Sequence, residues 1–256
     1  MTTTIALAGK GGTGKTTVAA LLVRFLTQDN GRTVLAIDAD PSTNLNLALG
    51  LPLTRTVGDI REELLDEARS GAVATGGARQ DYLNYQLRLA IEEGDVVDLL
   101  AMGRPEGPGC YCPVNHMLRQ IVDGLGAQYD YIVIDNEAGM EHLSRRTTKD
   151  VDLLLVITDP TIRGVKAAEG IVALAGELDI NVKRIVLVVN RVVGDELPQP
   201  LQDAIEGMEV ELAARIPDDP NVYRLDAWGK PLVELSQDSP AAVVVRSIAE
   251  KYVGRS

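Results

Sequence analysis

Residues 4–17, Thr-Ile-Ala-Leu-Ala-Gly-Lys-Gly-Gly-Thr-Gly-Lys-Thr-Thr, constrain the fold of this chain more than any other stretch. Residues 5–8 are a short apolar run of the kind that forms a buried parallel strand. They lead directly into Gly9-Lys10-Gly11-Gly12-Thr13-Gly14-Lys15-Thr16, a full match to G-x-x-x-x-G-K-[ST], and then into an apolar helix over residues 18–26. Strand, glycine loop and helix in that order are the context in which this motif cradles a phosphate chain. Backbone N–H groups along Gly11, Gly12, Thr13 and Gly14 can converge on phosphate oxygens, and the helix adds its positive N-terminal end. Lys15 is expected on the β- and γ-phosphates and the Thr16 hydroxyl on Mg²⁺, with Thr17 among the nucleotide contacts. The stretch points to a nucleoside triphosphate.

Apolar, β-branched runs recur at 33–38, 96–102, 131–135, 152–158, 184–191 and 209–216, and helical patterns alternate with them at 44–49, 116–125, 161–178 and 239–252. That alternation predicts an α/β fold of three layers, a mostly parallel sheet with helices on both faces. No linker-like stretch divides residues 1–256, which are read as one domain. Ser239-Pro240 supplies an N-cap and a proline at the first position of the last helix. Residues 56–93 read as a charged helical excursion around a glycine-rich loop at 71–77, with no recognisable chemistry. The charge is −12, from 25 Lys and Arg against 37 Asp and Glu. This balance argues against non-specific nucleic-acid binding and against docking on anionic lipid. No apolar run approaches the roughly 20 residues of a membrane span, and the start lacks a positive leader, so a cytoplasmic location is expected.

Three acids close predicted strands: Asp38, with Asp40 two residues on, and Asp135. Strand ends are where open α/β sheets bind their ligands. An apolar strand closing on Asp135 is the Walker B pattern, in which the acid holds Mg²⁺ through its water shell. Asp40 also has a plainer reading, as a cap for the helix that follows. Asn190 ends another strand, where an amide offers a donor and an acceptor to a purine edge.

The two cysteines of the chain, Cys110 and Cys112, lie in Gly103-Arg104-Pro105-Glu106-Gly107-Pro108-Gly109-Cys110-Tyr111-Cys112-Pro113. Three glycines and three prolines in eleven residues exclude helix and strand alike. Core packing suits cysteines in apolar segments better than a pair in such a loop. A disulfide at this spacing is strained. A redox pair and a metal-ligand pair remain, and two thiolates fill only half of a four-coordinate site.

Lys10, at the second position of the glycine loop, resembles the signature lysine of the "deviant" Walker A ATPases, the family of MinD, ParA and the nitrogenase iron protein. The resemblance implies a homodimer in which Lys10 reaches the partner's nucleotide. It also implies a switch I in which Asp40 activates the attacking water and Asp38 helps hold the Mg²⁺ shell. Switch II then runs from Asp135 to Gly139, Asn190 contacts adenine, and Pro217 and Asp218 wall the base. Asn136 departs from the usual residue of that switch. Gly109-Cys110-Tyr111-Cys112-x-x-Asn115 together with Asp-x-x-Ala-Gly-x-Glu-His-Leu narrows the likeness to the CooC-type ATPases, which serve nickel insertion into carbon monoxide dehydrogenase and, in a close relative, acetyl-CoA synthase. That resemblance implies ATP and Mg²⁺ as cofactors. It also implies one Ni²⁺ or Zn²⁺ held by Cys110 and Cys112 of two chains and a client metalloenzyme, while the acidic balance leads us to expect no nucleic-acid or membrane partner. His116 and His142 are weaker candidates for further ligands. The rival readings are an iron–sulfur electron carrier, disfavoured because no cysteine follows Asp135, and a ParA/MinD-type positioning ATPase.

Overall fold

Strands with apolar residues on both faces can bury neither face alone, so they need a helix layer above and below. The computed structural model of the chain describes residues 2–28, 31–70, 82, 85–104, 128–138, 150–177 and 181–254, and it is built on that solution. Its strands are β1 (Thr3–Gly9), β2 (Val34–Ala39), β3 (Ile91–Glu92), β4 (Asp98–Ala101), β5 (Tyr131–Asn136), β6 (Asp150–Val151), β7 (Leu153–Thr158), β8 (Asn181–Val182), β9 (Ile185–Val192) and β10 (Glu211–Pro217). Eight of them form one sheet in the order β10-β9-β7-β1-β5-β2-β4-β3, parallel except for β3, while β6 and β8 pair separately.

The helices are α1 (Lys15–Leu26), α2 (Leu45–Leu49), α3 (Val57–Ser70), α4 (Ile162–Glu177), α5 (Gln199–Glu206), α6 (Pro220–Ala227) and α7 (Pro240–Ile248), the last running on into a π-helical turn over Ala249–Val253. Alternate strand residues divide between the faces. Ile5, Leu7, Val133, Leu155 and Val188 pack with α1, α2 and α7. Ala6, Ala8, Ile134, Val156 and Leu187 pack with α3, α4 and α5. At about 1.5–3 kcal/mol for each buried Val, Leu or Ile, this two-sided burial is the main force holding the sheet between its helix layers. The expected α/β fold with a mostly parallel sheet and helices on both faces is the fold observed.

Four local details differ from the sequence reading. Residues 91–92, inside the region read as helical, form β3, because Ile91 and Glu92 pair antiparallel with Leu100 and Leu99. Helices α5 and α6 were not expected. Ser239 is not the side-chain cap of α7: its hydroxyl donates to Asp219 Oδ2, and the same oxygen accepts the Ala241 N–H at 3.2 Å. Asp219 caps its own helix α6 as well, through Asn221 N at 2.9 Å. At the far edge, β10 pairs with β9 through two register shifts and ends on Pro217. The helix expected at 116–125 and the loop at 71–77 lie outside the described residues.

Candidate functional site

Because seven strands run the same way, their carboxyl ends carry Gly9, Asp38, Asp135, Asn190 and Pro217 to one edge of the sheet. The glycine loop leaves β1 there. A Cβ on Gly9 would lie 2.2 Å from the Ile157 carbonyl oxygen, so β7 admits nothing larger at that turn. Gly14 has φ of 89°, and a Cβ there would meet Asn190 Nδ2 at 2.3 Å. Both positions therefore require glycine. The loop ties itself together through Thr13, whose hydroxyl donates to the Lys10 carbonyl at 2.9 Å. Lys15 is buried, and its ammonium lies over the loop, donating to the carbonyls of Gly9 at 3.2 Å and Lys10 at 3.4 Å. Burial lowers its pKa, against the pull of Asp135, Asp40 and Glu137. Lys10 is exposed, and its ammonium has no partner among the described residues.

The acids differ sharply in their surroundings. Asp135 ends β5 facing α1, and its Oδ2 accepts the Thr16 hydroxyl at 2.6 Å. Its Oδ1 is buried with no partner among the described residues. Burial pushes its carboxyl up to about 7. An orphaned carboxylate oxygen beside a hydroxyl, at the foot of a phosphate loop, fits a hydrated divalent cation. Asp38 is also buried, and burial raises its carboxyl to about 6. Its oxygens, however, are engaged by the backbone: Oδ1 by Asp40 N at 3.0 Å, Oδ2 by Asn44 N and Leu45 N, each at 2.9 Å. Asp38, not Asp40, thus caps α2. Asp40 is only half-buried and accepts Ser42 N at 2.8 Å. Asn136, the departure in switch II, turns into the sheet and donates to the Leu7 carbonyl at 2.8 Å.

Beside α1 a cleft of about 360 Å³ brings together Thr17, Asn190, Pro217 and Asp218, four of the residues expected to contact the nucleotide, with Tyr223 and Asp226 of α6 added. Asn190 does more than face that cleft. Its amide donates to the Thr13 carbonyl at 2.8 Å and accepts Arg191 N at 3.0 Å, while the Arg191 guanidinium reaches the Gly12 carbonyl at 2.9 Å. The strand end at β9 therefore braces the phosphate loop from 177 residues away in sequence. Asp219 and Tyr223 were missed by the sequence reading. The pair Asp219-Pro220, an N-cap followed by proline at N1, is the signal that marks their helix. Gly139, Cys110, Cys112, His116 and His142 lie outside the described residues. Among the described residues no cluster of His, Cys, Asp and Glu suits a metal ion held by side chains alone, and no helix is long and apolar enough to cross a membrane.

Residues 4–232 match the profile of the CobQ/CobB/MinD/ParA nucleotide binding domain. Over 251 residues, 98% of each chain, the sequence is 41% identical to an uncharacterised ATP-binding protein of Methanocaldococcus jannaschii. It is 33% identical over 248 residues to the carbon monoxide dehydrogenase accessory protein CooC of Rhodospirillum rubrum, covering 91% of this chain and 90% of that one. The septum site-determining protein MinD of Pyrococcus horikoshii OT3, solved with Mg-ADP, superposes with a TM-score of 0.71 at 26% identity, over 98% of this chain and 96% of that one. The phosphate loop of β1 and α1, the paired Thr16 and Asp135, and the matches along nearly the whole chain agree: this chain belongs to the CobQ/CobB/MinD/ParA nucleotide-binding family and is an ATPase of the P-loop type.

Proposed function

We propose that the chain is a dimeric, Mg²⁺-dependent ATPase of the CooC kind, whose nucleotide cycle gates nickel delivery to a client of the carbon monoxide dehydrogenase or acetyl-CoA synthase type. The observation that carries the ATPase part is the Thr16–Asp135 pair with its orphaned carboxylate oxygen beside Lys15. Thr16 and Asp135 would hold Mg²⁺, which when bound neutralises charge on the phosphates. Lys15 moves from the loop carbonyls onto the β- and γ-phosphates, Asp40 orients the attacking water, and Asn190, Pro217 and Asp218 receive the base. Lys10, exposed on the loop, reaches the nucleotide of a second copy of the chain. In a mixture of Lys10→Ala and Asp40→Ala chains, heterodimers then hold one intact composite site, and activity that neither variant has alone returns.

The metal-delivery part is supported by Cys110-Tyr111-Cys112 in the sequence and by the likeness to CooC. Ni²⁺, with Zn²⁺ as the competing ion, is the cargo, held between two chains because one pair of thiolates leaves a four-coordinate sphere half filled. Ultracentrifugation of nucleotide-free protein with either ion tests it. Metal shifts the wild type toward dimer, saturating at about half an ion per chain, and leaves Cys112→Ser unmoved. One full ion held tightly per monomer, or a monomer–dimer balance indifferent to metal, rules the delivery reading out. The likeness to a solved MinD favours a second reading, a positioning ATPase. ATP-dependent co-sedimentation with anionic vesicles or DNA would establish that one instead.

A further inference from the structure

We infer that Asp38 is a positioning residue, which fixes the segment carrying Asp40, and is not a member of the magnesium shell. The inference rests on the ATPase reading above and adds a division of labour between two buried carboxylates. An ionised carboxylate offers about four acceptor positions. On Asp38 three are filled by main-chain N–H groups, those of Asp40, Asn44 and Leu45, and the residue is 1% exposed. On Asp135 one oxygen holds only the Thr16 hydroxyl and the other has no partner among the described residues. Of these two buried carboxylates it is Asp135 that keeps most of its acceptors, and one whole oxygen, open to a cation's water shell.

What Asp38 holds is a loop that the chain would not form by itself. Thr43 has φ of 46°, in the left-handed region that β-branched residues avoid. The two N–H groups that follow it, of Asn44 and Leu45, are the pair bound to Asp38 Oδ2. Thr43 N returns to the Asp40 carbonyl at 3.1 Å, and Ser42 N to the Asp40 carboxylate at 2.8 Å. The loop is thus gathered at both ends by one buried side chain, and the direction of the Asp40 carboxylate is set as a result. Removing the gathering charge frees the loop and misplaces Asp40, while the cation's own partners stay in place.

Amide hydrogen exchange by NMR, read beside steady-state kinetics, tests this. In the wild type the amides of Asp40, Asn44 and Leu45 exchange slowly without nucleotide or Mg²⁺, and stay protected when Mg-ATP is added. In Asp38→Asn those three amides exchange at least about tenfold faster and kcat falls by about tenfold or more, while KM for ATP and the half-saturating Mg²⁺ stay within about twofold. A tenfold rise in the Mg²⁺ requirement with unchanged amide exchange would overturn the inference. So would loss of protection at the three amides when Mg-ATP reaches the wild type, an arm that decides the matter even if Asp38→Asn does not fold. Exchange is read without turnover. An inactive wild type would therefore defeat the ATPase reading and leave this result standing.

Discussion

The two ends of the nucleotide cleft are built in opposite ways. The phosphate end is made of consecutive residues, Gly9 to Thr16, pinned between β7 and β9, with Lys15 and Asp135 buried beneath. The end proposed for the base is assembled from three distant segments, Asn190, the Pro217–Asp219 corner and α6, and its Tyr223 is 77% exposed. Rigidity at the first end comes from backbone shape. At the second it comes from side chains: Asp219 ties the corner to the start of α7, and Asn190 links this end to the phosphate loop at Thr13. The contrast suggests that triphosphate recognition is fixed by the fold, while recognition of the base depends on a few tunable contacts.

The largest expected effect belongs to the phosphate end. Lys15→Ala removes the buried cation and should lower affinity for both ATP and inorganic triphosphate on the order of 100-fold, measurable by calorimetry. Asn190→Ala sharpens the contrast. It strips the Thr13 carbonyl of its buried donor, at a cost of about 1–3 kcal/mol. Affinity for triphosphate should then fall on the order of tenfold along with affinity for ATP; if triphosphate binding is untouched, Asn190 serves the base alone and the bracing role fails.

Next in size is a pH effect at the phosphate end. Asp135 and Asp38 titrate near 7 and 6 in the folded chain, above the ordinary carboxylate value. The folded protein therefore holds protons that the unfolded chain releases. The associated stability is complete below the unfolded value of about 4 and is lost as pH rises through 6 and 7. Melting temperature of metal-free protein should decline across that window, and Asp135→Asn should flatten the decline. A curve of the same slope in that variant would place the titration elsewhere.

The smallest effect is at the base end. Asp219→Ala uncaps α6 and α7 together, costing about 1–2 kcal/mol of stability, and should weaken ATP a few-fold while leaving triphosphate alone. Equal losses for the two ligands would show that the ends are not separable.

The same contrast explains what could be read from the sequence. The phosphate loop was legible because its causes are local: glycines required by φ and by close approach, a strand before and a helix after. Asp135 and Asn190 were legible as polar residues closing apolar runs. The destination of their bonds was not, since the partner of Asn190 lies 177 residues away. Asp38 and Ser239 show the same limit. Asp40 and Ser239 sit where a cap is expected from spacing, yet Asp38 and Asp219 supply the caps, through folds of the chain that bring an upstream carboxylate onto the helix start. Helix α5 lacks a side-chain cap and is short, yet Leu201, Ile205 and Met208 fall at helical spacing, a signal the sequence reading passed over. Two-residue β3 is too short for any alternation to show.

The two borders of the main sheet also limit how copies of this chain can meet. On one side β3 offers two residues, and on the other β10 is broken by two register shifts and finishes in a proline that has no N–H to give. Neither border is a straight row of free donors and acceptors that would template another strand. Among the described residues, growth by adding strand to strand, the route to filaments and aggregates, is disfavoured at both margins. A partner chain, in the dimer proposed above, is left to approach through side chains and loops.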